Sequence, residues 1–554
     1  MSALLTLQDV ARARQFYEHG YWGSETLYDV LRRWAEETPN RFAFRDSNTR
    51  LTYGAAVRWV DALAQELHDA GLRSGDRVSI WLPSRIETAL IFFACSRMGY
   101  VCNTSLHRDY TCNDILALLK RAGSAAFFGQ AGYGADAAQK NIFETLEGLP
   151  RLKKVCRVEP LRSGIAESER PIGFGGIHDA SPRPIAHASN PDRVVYLAFT
   201  SGTTGQPKGV MHSDNTILAN GRAIAKDWGF GQDTIVYSFS PLSHNIGIVG
   251  MAVAAVCGGE FVAHTPLDAS RMLDRIVETG ATYVLGVPTH AIDLLTEMRQ
   301  RGMARLGQVK AFQLGGAPVP PTTVRGLMDV QVKIQNAFGM TENHSFQYTR
   351  PADLPETIAS TCGRPADGME IKLWREDDQD REVAQRDIGE LGVRGASLML
   401  GYFDDQSATE LSFNREGWFM TGDLARLDDQ GNLQIAGRKK DVIIRGGHNI
   451  YPVRIEDYTL RHTGVAKAAA FPVADERLGE RVCLAVIPRT NAKTAPLELL
   501  QHLNDQGLSK YDMPEFFLEL DQFPLTASGK VLKRRLVEMV AQGLLKPQPV
   551  RWSG

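Results

Sequence analysis

Cysteine is scarce: seven residues in 554, with no C-x-x-C pair and no histidine cluster at metal-ligand spacing. That excludes a disulfide-stapled scaffold and a zinc module, and an odd, scattered count fits a reducing cytoplasm. Surplus charge is missing too. Lys and Arg number 62 against 64 Asp and Glu, a formal net charge of −2, so the chain lacks the excess that displaces counterions from nucleic acid. Long hydrophobic runs are absent. The longest candidate, Ile246 to Gly258, is broken by glycines and falls short of the ~20 apolar residues of a membrane span. Asp9 and Glu18, with no charged-then-apolar leader, argue against a signal peptide. Neither a Walker lysine loop nor the kinase blocks occur, which removes the ordinary phosphotransferases.

What is present is a globular composition, 43% hydrophobic and 23% charged, long enough for several folding units. Amphipathic stretches at Leu27 to Ala35 and Trp59 to Ala70, and a buried-type helix at Glu87 to Met98, alternate with short β-like runs. The runs are Arg77 to Leu82, Ala125 to Phe128, Arg193 to Phe199, Thr282 to Gly286 and Val309 to Leu314. This alternation predicts an α/β fold with parallel-rich sheets flanked by helices. From about Glu370 the runs shorten (Glu370 to Trp374, Gly389 to Arg394, Gly431 to Ala436), which predicts a β-rich subdomain. Beyond Asp441, helical patterns at Val453 to His462 and Pro496 to Asn504 flank β-like Ala468 to Pro472 and Arg481 to Ile487, a small α+β domain. Pro160 to Pro191 is a surface loop by composition.

The sharpest local feature is Phe199-Thr200-Ser201-Gly202-Thr203-Thr204-Gly205-Gln206-Pro207-Lys208-Gly209-Val210, directly after a β-like run. Its glycines allow close backbone approach to a ligand, and its hydroxyls and lysine supply donors to phosphate oxygens. A Gly/Ser/Thr stretch alone is an ordinary loop; Lys208 in this position suits a polyphosphate cradle.

This string resembles the signature loop of the adenylate-forming enzymes, the acyl- and aryl-CoA synthetases, adenylation domains and luciferases. Five further blocks follow in family order. Leu314-Gly315-Gly316-Ala317-Pro318 resembles the block lining the adenine and acyl pockets. The run Asn336-Ala337-Phe338-Gly339-Met340-Thr341-Glu342 resembles the aromatic-Gly-x-Thr-Glu block. There the ring stacks on adenine, the threonine touches the α-phosphate and the glutamate holds Mg2+; Phe338 replaces the usual tyrosine. Asp423, with Arg438 15 positions later, resembles the ribose-binding pair. Lys440 sits at the hinge position, and Gly446 and Gly447 match the turn that forms part of the pantetheine tunnel. Pro524-Leu525-Thr526-Ala527-Ser528-Gly529-Lys530 resembles the block ending in the catalytic lysine.

The resemblance implies a large N-terminal adenylation domain over 1–438, with its β-rich subdomain at about 365–438, and a mobile C-terminal domain over 439–554. It implies an ATP-dependent acid–CoA ligase using ATP, Mg2+ and CoA, which forms acyl-AMP and pyrophosphate and then passes the acyl group to a thiol. On the same resemblance, Lys530, Thr204, Lys208 and Glu342 are the expected catalytic residues. It implies Ser201, Gly202, Thr203 and Gly205 as donors of the loop, and Glu342 as the metal ligand. The resemblance further implies that Lys530 acts in the first step and Lys440 permits the change to the second. The other reading is a stand-alone aryl-acid AMP ligase loading a carrier protein. A non-catalytic relative would lose Glu342 or Lys530, and both are present.

The acid pocket is expected to draw on His244, Asn245, Ile248 and Val287, with Gly316 and Met340. Asn245 is open to two readings: its amide touches a ring hydroxyl, as in aryl-acid enzymes, or it caps the following helix. Thr341 to Arg350 and Phe16 to Trp22 also resemble the aryl group. Arg445 to Pro452 and Tyr283 to Pro288 resemble ligases of alicyclic or medium-sized acids. The expected partner is a small carboxylic acid, without nucleic acid or membrane span, in a monomer or homodimer. About 24 residues after Lys530 leave no room for an attached carrier domain.

Overall fold

The computed structural model describes residues 4–7, 9–174, 177, 185–200, 207–384, 386–489, 492, 494–525 and 531–552. By compactness the chain divides into two units, 1–370 with 394–413, and 371–393 with 414–554. The fold is α/β, as the alternating pattern predicts.

The first unit holds two sheets. A six-stranded sheet runs in the order Lys154–Arg157, Ser124–Gly129, Arg77–Trp81, Val101–Asn103, Val194–Thr200, Lys208–Ser213, parallel except for its last pair. A nine-stranded sheet has a parallel middle from Lys333–Met340 through Ala311–Leu314, Tyr283–Gly286, Ile235–Ser238 and Glu260–Ala263 to Phe42–Arg45. Antiparallel strands close both its edges. The helix Ile86–Met98 is buried at every position, as its unbroken apolar character requires. The helix expected from Trp59 begins earlier, at Tyr53, because the Thr52 hydroxyl accepts from the Ala55 amide and caps it there. The apolar run from Ile246 forms the buried helix Asn245–Cys257. Among the described residues no helix is long and apolar enough to cross a membrane.

The second unit contains the strands Phe419–Leu427 and Leu433–Arg438, paired antiparallel in a four-stranded sheet. The last strand starts later than its sequence pattern suggests. Asp428 Oδ1 accepts from the amides of Gln430 and Asn432, so 428–432 closes a turn and pairing carries on to Arg438. A second sheet centres on Gly479–Pro488, flanked by Val465–Asp475 and Phe516–Glu519. Its alternation is plain: Val482, Leu484 and Val486 enter one apolar cluster, Cys483 and Ala485 the other.

One buried ion pair in the first unit carries a stability prediction. Arg85 and Glu87, both fully buried, meet through two hydrogen bonds of 2.8 and 2.7 Å. Nearby, the Asp46 carboxyl is pushed up to about 7 by burial and then by Glu87. Arg85→Met strands the Glu87 charge, and the urea midpoint should fall by the equivalent of about 3–5 kcal/mol; adding Glu87→Leu should recover most of that.

Candidate functional site

The hydroxyl-rich loop joins two adjacent antiparallel strands, in which Thr200 faces Lys208 and Phe199 faces Gly209. Ser201, Gly202, Thr203, Thr204 and Gly205 lie outside the described residues, as does Lys530. A residue that no sequence motif marks braces both ends of the loop. Arg121 donates to the Pro207 carbonyl, and its guanidinium lies 5.5 Å over the Phe199 ring.

Lys208 and Glu342 are brought together by Tyr402, which sequence reasoning missed. The Lys208 ammonium sits 4.5 Å from the Tyr402 ring centre, and the Tyr402 hydroxyl donates to Glu342 Oε1 at 2.9 Å. The tyrosine is placed by backbone pairing of 400–403 with the Lys208–Ser213 strand, through Leu400 N to Met211 O, Met211 N to Gly401 O and Phe403 N to Gly209 O. Glu342 is itself buried, and its carbonyl accepts from the Met399 amide at 2.7 Å. A buried carboxylate fixed by one hydroxyl, with a lysine behind that ring, suits a cation-bridged polyphosphate.

Glu342 leaves a tight connection between Lys333–Met340 and His344–Tyr348. Gly339 is required here: a Cβ on it would lie 1.9 Å from the His344 carbonyl oxygen. Phe338 is half-buried, its ring 5.9 Å from Phe346 and tilted 72°. Thr341 is half-buried and Ala337 buried. Asn336 serves the fold, since its amide donates to the carbonyls of Ile358 and Thr361 at 3.0 and 2.9 Å.

Several expected pocket residues do gather. A Cβ on Gly315 would lie 3.2 Å from the Ala337 carbonyl and 4.0 Å from Ile246, and one on Gly316 3.6 Å from Val287. Gly316, Ala317 and Pro318 are exposed beyond the strand end. Val287 and His244 are the N-caps of the helices Pro288–Gln300 and Asn245–Cys257. His244 stacks on His107 with ring centres 4.3 Å apart. Ile248 is fully buried. The capping reading of Asn245 is overturned. His244 occupies the N-cap and Asn245 the first helical position, where its amide turns instead to His344 and to the Met340 carbonyl.

Two buried histidines were also missed. His212 Nε2 donates to the Thr341 carbonyl at 2.7 Å, and its ring lies 4.0 Å from that of His344. Burial pushes His212 down to about 4 and His344 well below the usual histidine range.

In the second unit, Asp423 and Arg438 are direct cross-strand partners joined by a 3.0 Å hydrogen bond. Asp423 is buried while Arg438 is half exposed, an arrangement suited to gripping a diol. Lys440 is exposed, next to Lys439, whose ammonium is anchored on Glu390 at 2.7 Å and the Glu376 carbonyl at 3.0 Å. Gly446 and Gly447 (φ 56° and 85°) make the turn between Ile443–Arg445 and His448–Ile450, beside the bidentate Arg445–Glu515 pair.

A family model described as AMP-binding enzyme matches residues 31–403, and one described as AMP-binding enzyme C-terminal domain matches 454–530. The chain is 29% identical to a medium-chain fatty-acid–CoA ligase of Escherichia coli (strain K12), over 96% of this chain and 93% of that protein. It is 30% identical to a 2,3-dihydroxybenzoate-AMP ligase of Bacillus subtilis (strain 168), over 96% and 97%. Among solved structures it resembles the o-succinylbenzoate CoA synthetase of Bacillus subtilis in complex with its acyl-adenylate intermediate. That match has a TM-score of 0.77 at 25% identity, over 92% of this chain and 97% of that one.

The depressed pKa of His212 sets a pH window for stability. The unfolded chain binds its proton below about 6.5, the folded chain only below about 4. The contribution is therefore intact above pH 6.5 and lost as pH falls to 4. In urea titrations across that window, the stability difference between wild type and His212→Gln should shift against wild type by up to about 3 kcal/mol. Comparing the two proteins cancels Asp46 and Asp214, whose raised values act in the opposite sense.

Proposed function

The chain belongs to the family of AMP-binding enzymes, and from that premise we infer how its residues divide the work. It is an ATP-dependent acid–CoA ligase: a carboxylic acid becomes acyl-AMP with release of pyrophosphate, and the acyl group passes to the thiol of CoA. The observation that carries the residue assignment is the Lys208–Tyr402–Glu342 chain next to the hydroxyl-rich loop.

A carboxylate must attack an anionic triphosphate, so the site has to screen charge and hold the reactants in line. We assign Lys208, Thr204 and Lys530 to that task, with Ser201, Gly202, Thr203 and Gly205 as loop donors to phosphate. Two unit charges 4 Å apart interact by about 4 kcal/mol at an effective dielectric of 20, so one lysine is worth several powers of ten in rate. Gly315 to Pro318 and Phe338 take the adenine, and Asp423 with Arg438 takes the ribose. Gly446 and Gly447 serve the CoA arm, and Lys440 is the hinge between the half-reactions, dividing 1–438 from 439–554.

The Glu342 carboxylate fits Mg2+. Among the described residues no group of three or more His, Cys, Asp or Glu gathers into a cage. One carboxylate plus substrate phosphates is the mode this ion favours. Mg2+ bound there neutralises phosphate charge, while Tyr402 keeps the carboxylate oriented. The acid pocket is drawn around His244, Asn245 and Val287, with Ile248 behind them. All seven cysteines are free and six are buried, which supports a reducing compartment such as the cytoplasm.

Acid-dependent ATP–pyrophosphate exchange across aliphatic, alicyclic and hydroxyaryl acids tests the reading, with CoA or a carrier protein then offered as acceptor. Lys530→Ala should slow exchange by about a thousandfold or more while sparing transfer from synthetic acyl-AMP to CoA; equal losses in both would sink its assignment. Tyr402→Phe should lower the exchange rate by about ten- to a hundredfold, the worth of a hydrogen bond to a charged group.

A further inference from the structure

The two strands that meet at the hydroxyl-rich loop are fixed at their ends by different devices. On the outgoing strand, the Phe199 amide donates to Ser105 Oγ at 2.6 Å, and the Ser105 hydroxyl donates to Asn103 Oδ1 at 2.9 Å. Asn103 and Ser105 are both buried, so the interior of the six-stranded sheet sets this end. The returning strand is held otherwise. Pro207 has no N–H, and the ladder ends at the Thr200–Lys208 pair. The Pro207 carbonyl accepts instead from Arg121, the penultimate residue of the helix Cys112–Ala122.

Arg121 thereby decides how the chain enters Lys208. Three successive carbonyls have partners there: Pro207 on Arg121, Lys208 facing the Thr200 hydroxyl at 3.5 Å, and Gly209 on the Phe403 amide at 2.6 Å. The middle contact is long for a hydrogen bond, so the peptide joining Pro207 to Lys208 takes its orientation from the guanidinium. The same planar group lies 5.5 Å over the buried Phe199 ring, which refers the returning strand to the fixed outgoing one. Arginine suits this double contact because its flat face and its edge donors act at once. On the far side of Lys208, the ammonium stands 4.5 Å from the ring centre of buried Tyr402, which donates to Glu342 at 2.9 Å. A shift of the Pro207–Lys208 peptide therefore shifts the ammonium against Tyr402 and Glu342.

We propose that Arg121 is a positioning residue for Lys208 in the first half-reaction. It acts through the Pro207 carbonyl and sets the angle at which the lysine meets the phosphates of ATP. This rests on the assignment of Lys208 to the polyphosphate. A misplacement of ~1 Å in a group that holds reactants in line costs about a hundredfold in rate. Passage of the acyl group from acyl-AMP to CoA follows the departure of pyrophosphate, so it does not depend on that angle.

The test compares acid-dependent ATP–pyrophosphate exchange with transfer from synthetic acyl-AMP to CoA, in the full chain, using whichever of octanoate, cyclohexanecarboxylate and 2-hydroxybenzoate wild type activates. Arg121→Met keeps an unbranched stem and loses the donor. It should lower kcat/KM for ATP in exchange by about ten- to a hundredfold, while the KM for the acid and the rate of transfer stay within about twofold. Arg121→Lys, which keeps a charge and a donor, should recover most of the loss. Because Arg121 acts through Lys208, adding Arg121→Met to Lys208→Ala should cost less than about threefold more. Where that exchange is too slow to follow, the same cycle is read on calorimetric binding of α,β-methylene-ATP. Should Arg121→Met fail to fold, Arg121→Leu stands in for it. Exchange unmoved by the substitution, exchange and transfer falling together, or losses that multiply in the double variant each overturn the proposal with the ligase assignment intact. Exchange by wild type with no acid of any class would instead overturn the functional reading beneath it.

Discussion

The site in the first unit hangs on one turn, Met340 to His344, half-buried at its first two residues and buried from Glu342 on, whose carbonyls find donors elsewhere in the chain. Three of those donors come from distant parts of the chain: Asn245 for Met340, His212 for Thr341 and the Met399 amide for Glu342. A buried carbonyl left without a partner costs about 1–3 kcal/mol, so the turn has one low-energy arrangement. The glutamate that emerges from it is aimed by the same bonds. Gly339 belongs to this constraint, because the returning strand passes where a side chain would stand.

The polar groups around that turn are mostly neutral. His107 and His212 are both held near 4 by burial, and burial and then His212 hold His344 well below the usual histidine range. Uncharged imidazoles serve two ends. They satisfy carbonyls without adding buried charge, and they leave Lys208 as the cation next to Tyr402 and Glu342. Protonating the cluster would place like charges 4.0 Å apart in a dry interior, which is why acid should loosen the turn.

In the second unit the same economy appears in a sheet. Asp423 and Arg438 are separated by a hairpin but face each other in register, so the ladder itself sets the distance between carboxylate and guanidinium. Lys439, anchored by Glu390 and the Glu376 carbonyl, fixes the chain just before Lys440.

Local pattern was enough for much of this protein. The alternation of β-like and amphipathic runs gave the α/β class, because side-chain period is a property of a few consecutive residues. The Asp423–Arg438 pair was marked by the resemblance, and the sheet register does bring the two side chains together. Strand ends were less legible, since a cap at Thr52 or a turn closed by Asp428 moved them. Of the two readings open for Asn245, the capping one fell because capping is a local contest and its partner, His344, stands 99 positions away. Tyr402 and His212 carried no sign, being 60 and 129 positions from the residues they hold. Sequence alone determined which chemistry the chain can reach; only packing in three dimensions decided which hydroxyl and which imidazoles aim it, because a hydrogen bond needs atoms within about 3 Å and takes no account of chain separation.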